Sequence, residues 1–321
     1  MIAVTGATGF VGSELARQLT LNGEKIICLK RGDSFIPEIL KDNSSIEWRI
    51  ADLLDYFSLK EAFEGVNYIY HCAAFISFDP DDKKKMIRVN VKGTSNLVNI
   101  CLENKLKKLV HVSSVASIGQ SKKGTAATEE DQWEFDSTNT PYSISKYESE
   151  MEVFRGVAEG LTAIVVNPSI IIGKNSGKKG SGQLFEIVRK GLKYYPSGSC
   201  GLVDVEDVAK SMIQLMNSKL SGRRYLINAE NYTYQDLFTQ IAHGFGLKAP
   251  TTALKPWMLK AGYIASKIAS VFTGEKPDLS TDTIRIAFKK PNYSNAKIKK
   301  ALNIEFKPVK QSITEICDAW K

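Results

Sequence analysis

The sequence begins with a short apolar segment, IAVT (2–5), that runs directly into TGATGFVG (5–12). Gly6, Gly9 and Gly12 have the spacing G-x-x-G-x-x-G and stand where a strand would turn into a helix. Glycine permits a sharp turn, a close approach of backbone N–H groups to a pyrophosphate, and tight packing of helix on strand. The helix N-terminus adds a partial positive charge. A glycine triplet alone is weak evidence, but this context predicts a dinucleotide-binding turn.

The rest of the first half alternates between strand-like and helix-like segments. Predicted strands are IAVT (2–5), KIICLK (25–30), IEWRI (46–50), NYIYHC (67–72), KLVHVSS (108–114) and LTAIVVN (161–167). Predicted helices cover about 11–22, 83–104 and 142–158. Such alternation indicates parallel β-α-β units with helices on both faces of the sheet. We therefore expect an α/β fold with a Rossmann-type doubly wound parallel sheet.

The pattern changes after residue 168. A strand–helix segment is expected at 201–216 and a strand at 223–228, and the further predicted helices cover 181–191, 234–245, 256–272, 281–288, 295–302 and 309–320. We interpret this half as a smaller, mainly helical substrate lobe. The predicted dinucleotide-binding domain is 1–167 plus about 201–229, and the predicted lobe is 168–200 plus about 230–321, so the two are interleaved.

The charge balance bears on the kind of partner. The net charge is +8, but the lysine-rich segments at 81–85, 105–108 and 177–180 are spread along the chain and are not interleaved with aromatic residues. We therefore expect no nucleic-acid partner, although a positive field favours an anionic cofactor or substrate. The three histidines show no metal-ligand spacing, so no metal site is expected.

The cysteines and the apolar segments bear on location. Five cysteines without a C-x-x-C pair are typical of the reducing cytoplasm. The first strand begins at Ile2, which leaves no room for a signal peptide, and no apolar run approaches the ~18 residues of a membrane span. Residues 257–272 could form an amphipathic helix that rests on a membrane, or one that packs on the lobe.

The end of the second predicted strand bears on which dinucleotide is bound. An NAD site usually has an acidic residue there, which bonds the ribose 2′-hydroxyl. This strand ends instead with Lys30 and Arg31, whose charges would attract a 2′-phosphate. We predict NADP as the preferred cofactor; in the alternative, Asp33 holds the ribose and NAD binds. Asp52 either accepts a hydrogen bond from the adenine amino group or belongs to a helix N-cap region.

A tyrosine and a lysine stand four residues apart in PYSISKY (141–147). Pro141 suits the first turn of a helix, where its missing N–H needs no partner. Tyr142 and Lys146 then lie one turn apart on the same helix face. The pattern is common by accident, so an aromatic residue near a solvated lysine is the alternative interpretation.

Five motifs in this order resemble the extended short-chain dehydrogenase/reductase family: TGATGFVG (5–12), HCAA (71–74), NVKGT (90–94), HVSSVASIG (111–119) and YSISK (142–146). The likeness covers essentially the whole chain. VNPSIIIG (166–173) and GLVDVEDVA (201–209) look most like the dihydroflavonol-reductase-like and 3β-hydroxysteroid-dehydrogenase-like branches. Nucleotide-sugar epimerases and dehydratases share the fold.

The resemblance implies roles for particular residues. Tyr142 corresponds to the catalytic tyrosine, Lys146 to its partner, Ser114 to the catalytic serine, and Asn90 to an asparagine that supports the lysine through a water. The implied cofactor-binding residues are Gly6, Thr8, Gly9, Phe10, Val11, Gly12, Lys30, Arg31, Asp52, Leu53, Ala73, Ala74, Tyr142, Lys146, Asn167, Pro168 and Ser169. Branches acting on sugar nucleotides usually have an arginine where Asn167 stands, which disfavours such a substrate.

The resemblance also implies a small-molecule carbonyl substrate. Tyr142 would donate a proton to the oxygen of an aldehyde or ketone that receives a hydride, Lys146 would lower the pKa of the phenol, and Ser114 would steady the developing charge. Candidate substrate residues are Phe75, Ser77, Phe78, Ser114, Trp133, Ile170, Ile171 and Tyr194, several of which could instead be lobe-packing residues. Their apolar character favours an apolar or aromatic substrate.

Two other functions stay open at this point. One is a nucleotide-sugar epimerase or dehydratase with tightly bound NAD, and the other is a non-catalytic dinucleotide-binding sensor. The segments 83–104 and 142–158 form dimer interfaces in many family members, so a homodimer is expected.

Overall fold

Seven parallel strands form the main sheet of the computed structural model, which describes residues 1–77, 79–121, 124–137, 139–178, 180–255, 257–258 and 281–321. The strands of this sheet are β1 (Ile2–Thr5), β2 (Ile26–Lys30), β3 (Ile46–Ile50), β4 (Tyr68–His71), β5 (Lys108–Val112), β6 (Ala163–Pro168) and β10 (Arg223–Ile227). Their spatial order is β10-β6-β5-β4-β1-β2-β3. The order reverses between β1 and β4, which is where open α/β sheets bind ligands.

Helices cover both faces of this sheet because successive strand residues point to opposite sides. On one face, Val4 and Val110 pack with α1 (Phe10–Leu21) and α7 (Val205–Asn217). On the other face, Ala3 and Leu109 pack with α2, α4 and α5. The bounds of these three helices are Tyr56–Ala62, Gly93–Glu103 and Pro141–Ala158. The doubly wound α/β fold predicted from the sequence is confirmed.

The single helix predicted over 83–104 is wrong in its middle. The structure has a short helix α3 (Lys83–Met86), a π-helical stretch over Ile87–Lys92, and then α4. π-Helical turns occur frequently at functional sites, because the wider turn re-aims side chains. Asn90 lies within this stretch and is buried.

The beginning of α5 is fixed by local chemistry. Thr140 is the N-cap, and its hydroxyl accepts from the backbone N–H of Ser143 at 3.0 Å. The Ser143 hydroxyl accepts in return from the N–H of Thr140 at 2.9 Å, which completes a capping box. Pro141 occupies the first turn as predicted. Tyr142 and Lys146 therefore start the helix in a rigid, well-defined orientation.

The second half carries more strand than the sequence predicted. The additional strands are β7 (Ile170–Ile172), β8 (Tyr194–Tyr195), β9 (Ser199–Asp204), β11 (Glu230–Thr233) and β12 (Thr252–Ala253). β7, β9 and β11 form a three-stranded sheet, and β8 pairs with β12. Within the predicted segment 201–229, β10 therefore joins the main sheet while β9 belongs to the small one.

The described helices of this half are α6 (Gly182–Arg189), α7, α8 (Tyr234–Gly244), α9 (Thr281–Phe288), α10 (Ala296–Leu302) and α11 (Val309–Ala319). A separate apolar core joins α6, α8 and α11 to the small sheet. Most of the predicted amphipathic segment 257–272 lies outside the described residues. Among the helices that the structure does describe, none is both long and apolar enough to cross a membrane.

Candidate active site

The glycine turn between β1 and α1 leaves no room for a side chain at Gly6 or at Gly12. Gly6 has φ +67°, and a Cβ there would lie 2.6 Å from the backbone nitrogen of Ala73. A Cβ on Gly12 would lie 2.2 Å from the carbonyl oxygen of Gly6. Gly9 is the N-cap of α1 and supplies no capping side chain. The turn therefore presents bare backbone at a helix N-terminus, which suits the pyrophosphate of a dinucleotide.

The other predicted residues of this turn are built into its surroundings. Thr8 and Phe10 are half-buried, and the Phe10 ring approaches Gly173, where a Cβ would lie 3.1 Å from its Cζ atom. Val11 packs against the core of the main sheet. These side chains hold the loop while its backbone stays accessible.

Charged residues follow the ends of β2 and β3. Lys30 ends β2, and Arg31 pairs with Asp33 at 3.5 Å, with side-chain exposures of 65% and 77%. Asp52 Oδ1 accepts from the N–H of Leu54 at 2.8 Å, whereas the N-cap of α2 is Asp55. Two cations, Lys30 and Arg31, and two carboxylates, Asp33 and Asp52, thus follow the strands after which an adenine ribose would be expected.

The end of β4 comes close to the glycine turn. The N–H of Ala73 donates to the hydroxyl of Thr5 at 3.3 Å, and Ala74 is exposed. Leu53, after β3, packs against Gly93, where a Cβ would lie 2.9 Å from the Leu53 Cβ. The residues after β4 therefore contact the end of β1, and Leu53 after β3 contacts the start of α4.

Ser114, Tyr142 and Lys146 converge at the carboxyl ends of β4, β5 and β6. The Ser114 and Tyr142 side chains share a hydrogen bond. Ser114 also caps the short 3-10 helix Val115–Ser117. Lys146 is 3% exposed, and its ammonium donates to the carbonyl of Val112 at 2.7 Å. Three residues that are distant in sequence are thus assembled on one crevice.

The electrostatics of this group differ from the sequence expectation. Burial raises the pKa of Tyr142, and the hydrogen bond with Ser114 acts in the opposite direction. The predicted lowering of that pKa by Lys146 is not what the structure gives. Burial lowers the pKa of Lys146 itself to about 8, with Glu150 and Cys72 acting against the shift. The physical reason is desolvation, which disfavours the charged form of both groups.

Asn90 has direct partners in the structure. Its Oδ1 accepts from the N–H of Phe75 at 2.7 Å, and its Nδ2 donates to the Phe75 carbonyl at 2.9 Å and to Ser145 Oγ at 3.0 Å. Both N–H groups of the amide are thereby used. Asn90 ties the loop after β4 to α5, and the water-mediated support of Lys146 stays a prediction.

The candidate substrate residues are more scattered. Phe75 lies beneath Lys85, whose ammonium is 4.2 Å from the ring centroid, and Ser77 Oγ donates to Asp82 at 2.7 Å. Trp133 stacks on Tyr147 of α5, with the two ring centroids 4.8 Å apart. Phe78 lies outside the described residues.

Three further candidates lie on strands of the second half. Ile170 packs in the core of the lobe, Ile171 packs against the core of the main sheet, and Tyr194 lies on the β8–β12 pair. The lobe-packing interpretation therefore applies to Ile170.

The end of β6 is held by hydrogen bonds to neighbouring elements. The buried Asn167 amide donates to the Ser114 carbonyl at 3.1 Å and to Glu150 Oε2 at 2.9 Å. Pro168 ends β6 beside Ile227, and the N–H of Ser169 donates to the Ile227 carbonyl at 3.0 Å. Asn167 therefore supports the Ser114 turn, a contact that sequence reasoning did not foresee.

Glu150 and Ser117 are functional candidates that sequence reasoning missed. The sequence carried a signal for Glu150 only. Glu150 follows Lys146 by four residues and Tyr142 by eight, so the helix period places all three on one face. A glutamate on the buried face of a helix is unusual. Ser117 offered no such signal, because its contact with Glu150 depends on the 3-10 turn after β5.

A buried histidine pair lies in the strands beneath the site. The rings of His71 (β4) and His111 (β5) have centroids 5.0 Å apart and are 0% and 1% exposed. His71 contacts the hydroxyls of Thr5 and Thr94, whereas neither ring nitrogen of His111 has a partner among the described residues. Burial lowers the pKa of His71 to about 3 and that of His111 well below its ordinary value.

We expect the free energy of unfolding to fall as the pH drops below about 6.5, because the unfolded chain binds protons there that the folded chain does not. Folded His71 takes up its proton only near pH 3, so the loss accumulates between these two values. Each neutral buried histidine should account for about 2 kcal/mol between pH 7.5 and pH 5. Urea unfolding at both pH values tests this, and His111→Leu should lose less stability on acidification than the wild type.

The matched control is His243→Gln, which removes an exposed histidine from α8. It should lose as much stability on acidification as the wild type. Equal losses in the wild type and in His111→Leu would contradict the assignment of the acid sensitivity to this pair.

Comparison with known proteins adds information on the family. The sequence profile of the NAD dependent epimerase/dehydratase family matches residues 2–228. A Synechocystis sp. protein named "Putative dihydroflavonol 4-reductase" is 29% identical over 319 residues, which cover 97% of this chain and 92% of that protein. Cinnamoyl-CoA reductase 1 of Petunia hybrida is 26% identical over 330 residues, covering 98% and 90% of the two chains. The crystal structure of gox2253 superimposes with a TM-score of 0.85 at 30% identity and covers 100% of this chain and 97% of that chain.

Proposed function

The chain belongs to the NAD dependent epimerase/dehydratase family, and on this premise we propose that it is an NADPH-dependent reductase of aldehydes or ketones. The observation that supports the proposal most strongly is the hydrogen bond between Ser114 and Tyr142 beside the buried Lys146. A protein that only senses a dinucleotide has no need of a buried proton donor at this edge of the sheet.

The cofactor would be held by backbone and charge. The bare turn at Gly6, Gly9 and Gly12 would receive the pyrophosphate, and Lys30 with Arg31 would lie beside the 2′-phosphate. The fit rests on the crowding at Gly6 and Gly12, where only glycine leaves the N–H groups accessible. When NADPH is bound, its nicotinamide supplies a hydride for the carbonyl carbon of the substrate.

The protein's own groups would manage the oxygen and its proton. Tyr142 donates its hydroxyl proton to the carbonyl oxygen as negative charge develops there, and Ser114 donates a hydrogen bond to the same oxygen. Burial keeps Tyr142 protonated at neutral pH, which suits a general acid in the direction of reduction. An ammonium at Lys146 stabilises the phenolate left after the transfer, and a proton from solvent then restores Tyr142.

The substrate class follows from the relatives and from the loop after β4. Two relatives that align along nearly the whole chain carry the names of carbonyl-reducing enzymes, one with a flavonoid and one with a thioester substrate. The backbone of Phe75 is fixed by Asn90 and its ring lies beneath the Lys85 ammonium, so the loop after β4 carries a positioned aromatic side chain. We infer an apolar or aromatic carbonyl compound as the substrate.

Two measurements on the purified protein test the proposal. The first is a panel of aldehydes, ketones, sterols and nucleotide sugars, read by the loss of NADPH absorbance. The second is the absorbance and mass of any cofactor that copurifies. We expect an apolar carbonyl compound to be reduced by added NADPH. Tightly bound NAD, with turnover of a nucleotide sugar only, would favour the epimerase or dehydratase alternative and refute the reductase.

Replacing Lys30 and Arg31 together by alanine should weaken NADPH binding by at least about 30-fold and NADH binding by less than about threefold, because each of the two charge-assisted contacts to a phosphate contributes at least about 1 kcal/mol and about 1.4 kcal/mol is tenfold. Both affinities can be measured by titration of the protein with each cofactor. Lys41→Ala is the control, since Lys41 is exposed and pairs only with Glu38 among the described contacts, at 3.5 Å. Equal losses for the two cofactors would show that these cations do not read the 2′-phosphate.

A further inference from the structure

A buried polar cluster lies directly behind the Ser114 turn. We call it the Glu150 cluster, and its members are Ser113, Ser117, Glu150, Asn167 and Arg224. Glu150, Ser117 and Asn167 are each 0% exposed. A carboxylate that is fully removed from water is costly unless it is paired and hydrogen-bonded, so its presence here calls for a reason.

Each oxygen of the Glu150 carboxylate has partners on other elements. Oε2 accepts from Ser117 Oγ at 2.8 Å and from Asn167 Nδ2 at 2.9 Å. Oε1 accepts from Arg224 Nη1 at 3.3 Å. The carboxylate on α5 therefore joins the 3-10 turn after β5, the end of β6, and β10.

The same cluster holds the backbone of Ser114. The Ser114 carbonyl accepts from Ser117 Oγ at 2.7 Å and from Asn167 Nδ2 at 3.1 Å. Both groups also contact Glu150, so the single Ser117 proton is shared between the Ser114 carbonyl and Glu150 Oε2, and Ser113 Oγ lies 2.9 Å from Ser117 Oγ. Movement of the Glu150 carboxylate would therefore release the two groups that fix the position of Ser114.

Arg224 closes the cluster from the opposite side. Its guanidinium donates to the Glu129 carbonyl at 2.9 and 2.6 Å and to the Asp131 carbonyl at 3.1 Å. Glu129 Oε1 accepts in turn from the N–H of Leu226 at 2.7 Å. The ion pair with Glu150 thus also connects α5 to the loop that precedes it.

Glu150 lies one helical turn after Lys146 and is the carboxylate that acts on its charge. The other titratable groups facing Lys146 are Tyr142 on the same helix, His71 and Cys72 at the end of β4, and His111 on β5. The two histidines are buried and neutral, and burial raises the pKa of Cys72 to about 12. Within the described residues, Glu150 is therefore the carboxylate that raises the pKa of Lys146, and the same carboxylate forms the ion pair with Arg224.

We infer that Glu150 is a positioning residue that holds the Ser114 turn and sets the electrostatic environment of Lys146, which lies one helical turn before it. The inference rests on the proposed function, since it assigns work to Ser114 and Lys146. It accounts for a fully buried carboxylate whose partners are Ser117, Asn167 and Arg224. The cluster acts on Ser114 through the backbone and on Lys146 through the field of its carboxylate.

Glu150→Gln tests both effects with little change in side-chain size. We expect kcat to fall by about 10- to 100-fold with KM changed less than about threefold, because a small displacement of a catalytic group costs this much. We also expect the alkaline limb of the kcat profile to move to lower pH by about one unit, since the loss of a nearby opposite charge favours the neutral amine.

A second readout does not depend on turnover. The 13Cε resonance of Lys146, assigned with Lys146→Arg, reports the pKa of the ammonium in the protein without substrate. In Glu150→Gln this pKa should lie about one unit below that of the wild type. Glu150→Asp, which restores the charge, should return it toward the wild-type value and recover part of kcat.

Glu152→Gln is the matched control, because it removes a carboxylate of the same helix that pairs with Arg155 at 2.9 Å and is 26% exposed. It should change neither kcat nor the titration of Lys146. If Glu150→Gln lowers only the stability and leaves both readouts unchanged, Glu150 is structural and the inference is wrong. If the wild type reduces no carbonyl compound, the proposed function fails, while an unshifted Lys146 titration in Glu150→Gln would separately refute the inference.

Discussion

Tyr142→Phe is expected to lower kcat by about 10²- to 10⁴-fold, the range over which a positioned proton donor acts. The substitution removes one hydroxyl and keeps the ring, so the helix and its capping box should be preserved. NADPH affinity should be nearly unchanged, because the turn at Gly6 and the cations after β2 remain in place. Steady-state kinetics with the best carbonyl substrate, together with a cofactor titration, measure the two quantities.

Tyr147→Phe provides the control for this prediction. Tyr147 lies on the same helix but stacks on Trp133 and does not share a hydrogen bond with Ser114 among the described contacts. Its hydroxyl should be dispensable, so turnover should stay within about twofold of the wild type, as for a typical substitution away from the chemistry. Undiminished turnover in Tyr142→Phe would remove the proposed mechanism.

The electrostatics around Tyr142 fit reduction better than oxidation. Burial raises the pKa of the phenol, so the group holds its proton at neutral pH and can donate it. Oxidation of an alcohol needs Tyr142 as the phenolate. Burial disfavours that phenolate unless a positive charge lies beside it. Lys146, whose pKa burial lowers to about 8, carries that positive charge only below this value. Under the inference drawn above, Glu150→Gln should therefore narrow the range of pH in which Lys146 carries this charge.

The sequence predicted the main sheet and the grouping of Ser114, Tyr142 and Lys146, because both depend largely on local patterns. Strands buried on both faces read as short apolar runs, and a turn that only glycine can form marks the start of α1. The helix that carries Tyr142 and Lys146 begins at Pro141 for a local reason as well. The order of the motifs then indicated that Ser114 lies at the same edge of the sheet. In the structure, Ser114 is the hydrogen-bond partner of Tyr142.

The features that the sequence did not predict depend on long-range contacts. The π-helical stretch around Asn90 forms where the amide bonds the backbone of Phe75 on another segment. The short strand β7 follows β6 after one residue and exists through its pairing with β9. In the sequence, Glu150 is one more charged residue on a predicted helix. Its buried ion pair with Arg224 depends on the position of β10 in the sheet. No local period encodes such contacts.

Gly12→Ala should weaken NADPH binding by more than about 100-fold, because a Cβ at this position cannot coexist with the present turn. That atom would lie 2.2 Å from the Gly6 carbonyl oxygen and 2.7 Å from the Gly6 carbonyl carbon, both of which are backbone. The start of α1 would have to move away from the turn, and its N–H groups would no longer converge on a phosphate. Overpacking of this kind should also lower the free energy of unfolding by about 1–3 kcal/mol.

Two other glycines make the test specific to the geometry of the turn. A Cβ on Gly9 would meet only the Gly6 carbonyl oxygen, at 3.3 Å, so Gly9→Ala should weaken binding much less than Gly12→Ala. Gly32 has no described atom within 4 Å of such a Cβ, so Gly32→Ala should bind NADPH as the wild type does. Cofactor titrations and urea unfolding of the three variants measure this order. The pyrophosphate can approach the backbone of this turn only while the turn keeps its present shape. Equally strong NADPH binding in Gly12→Ala and Gly32→Ala would therefore mean that the pyrophosphate is held elsewhere.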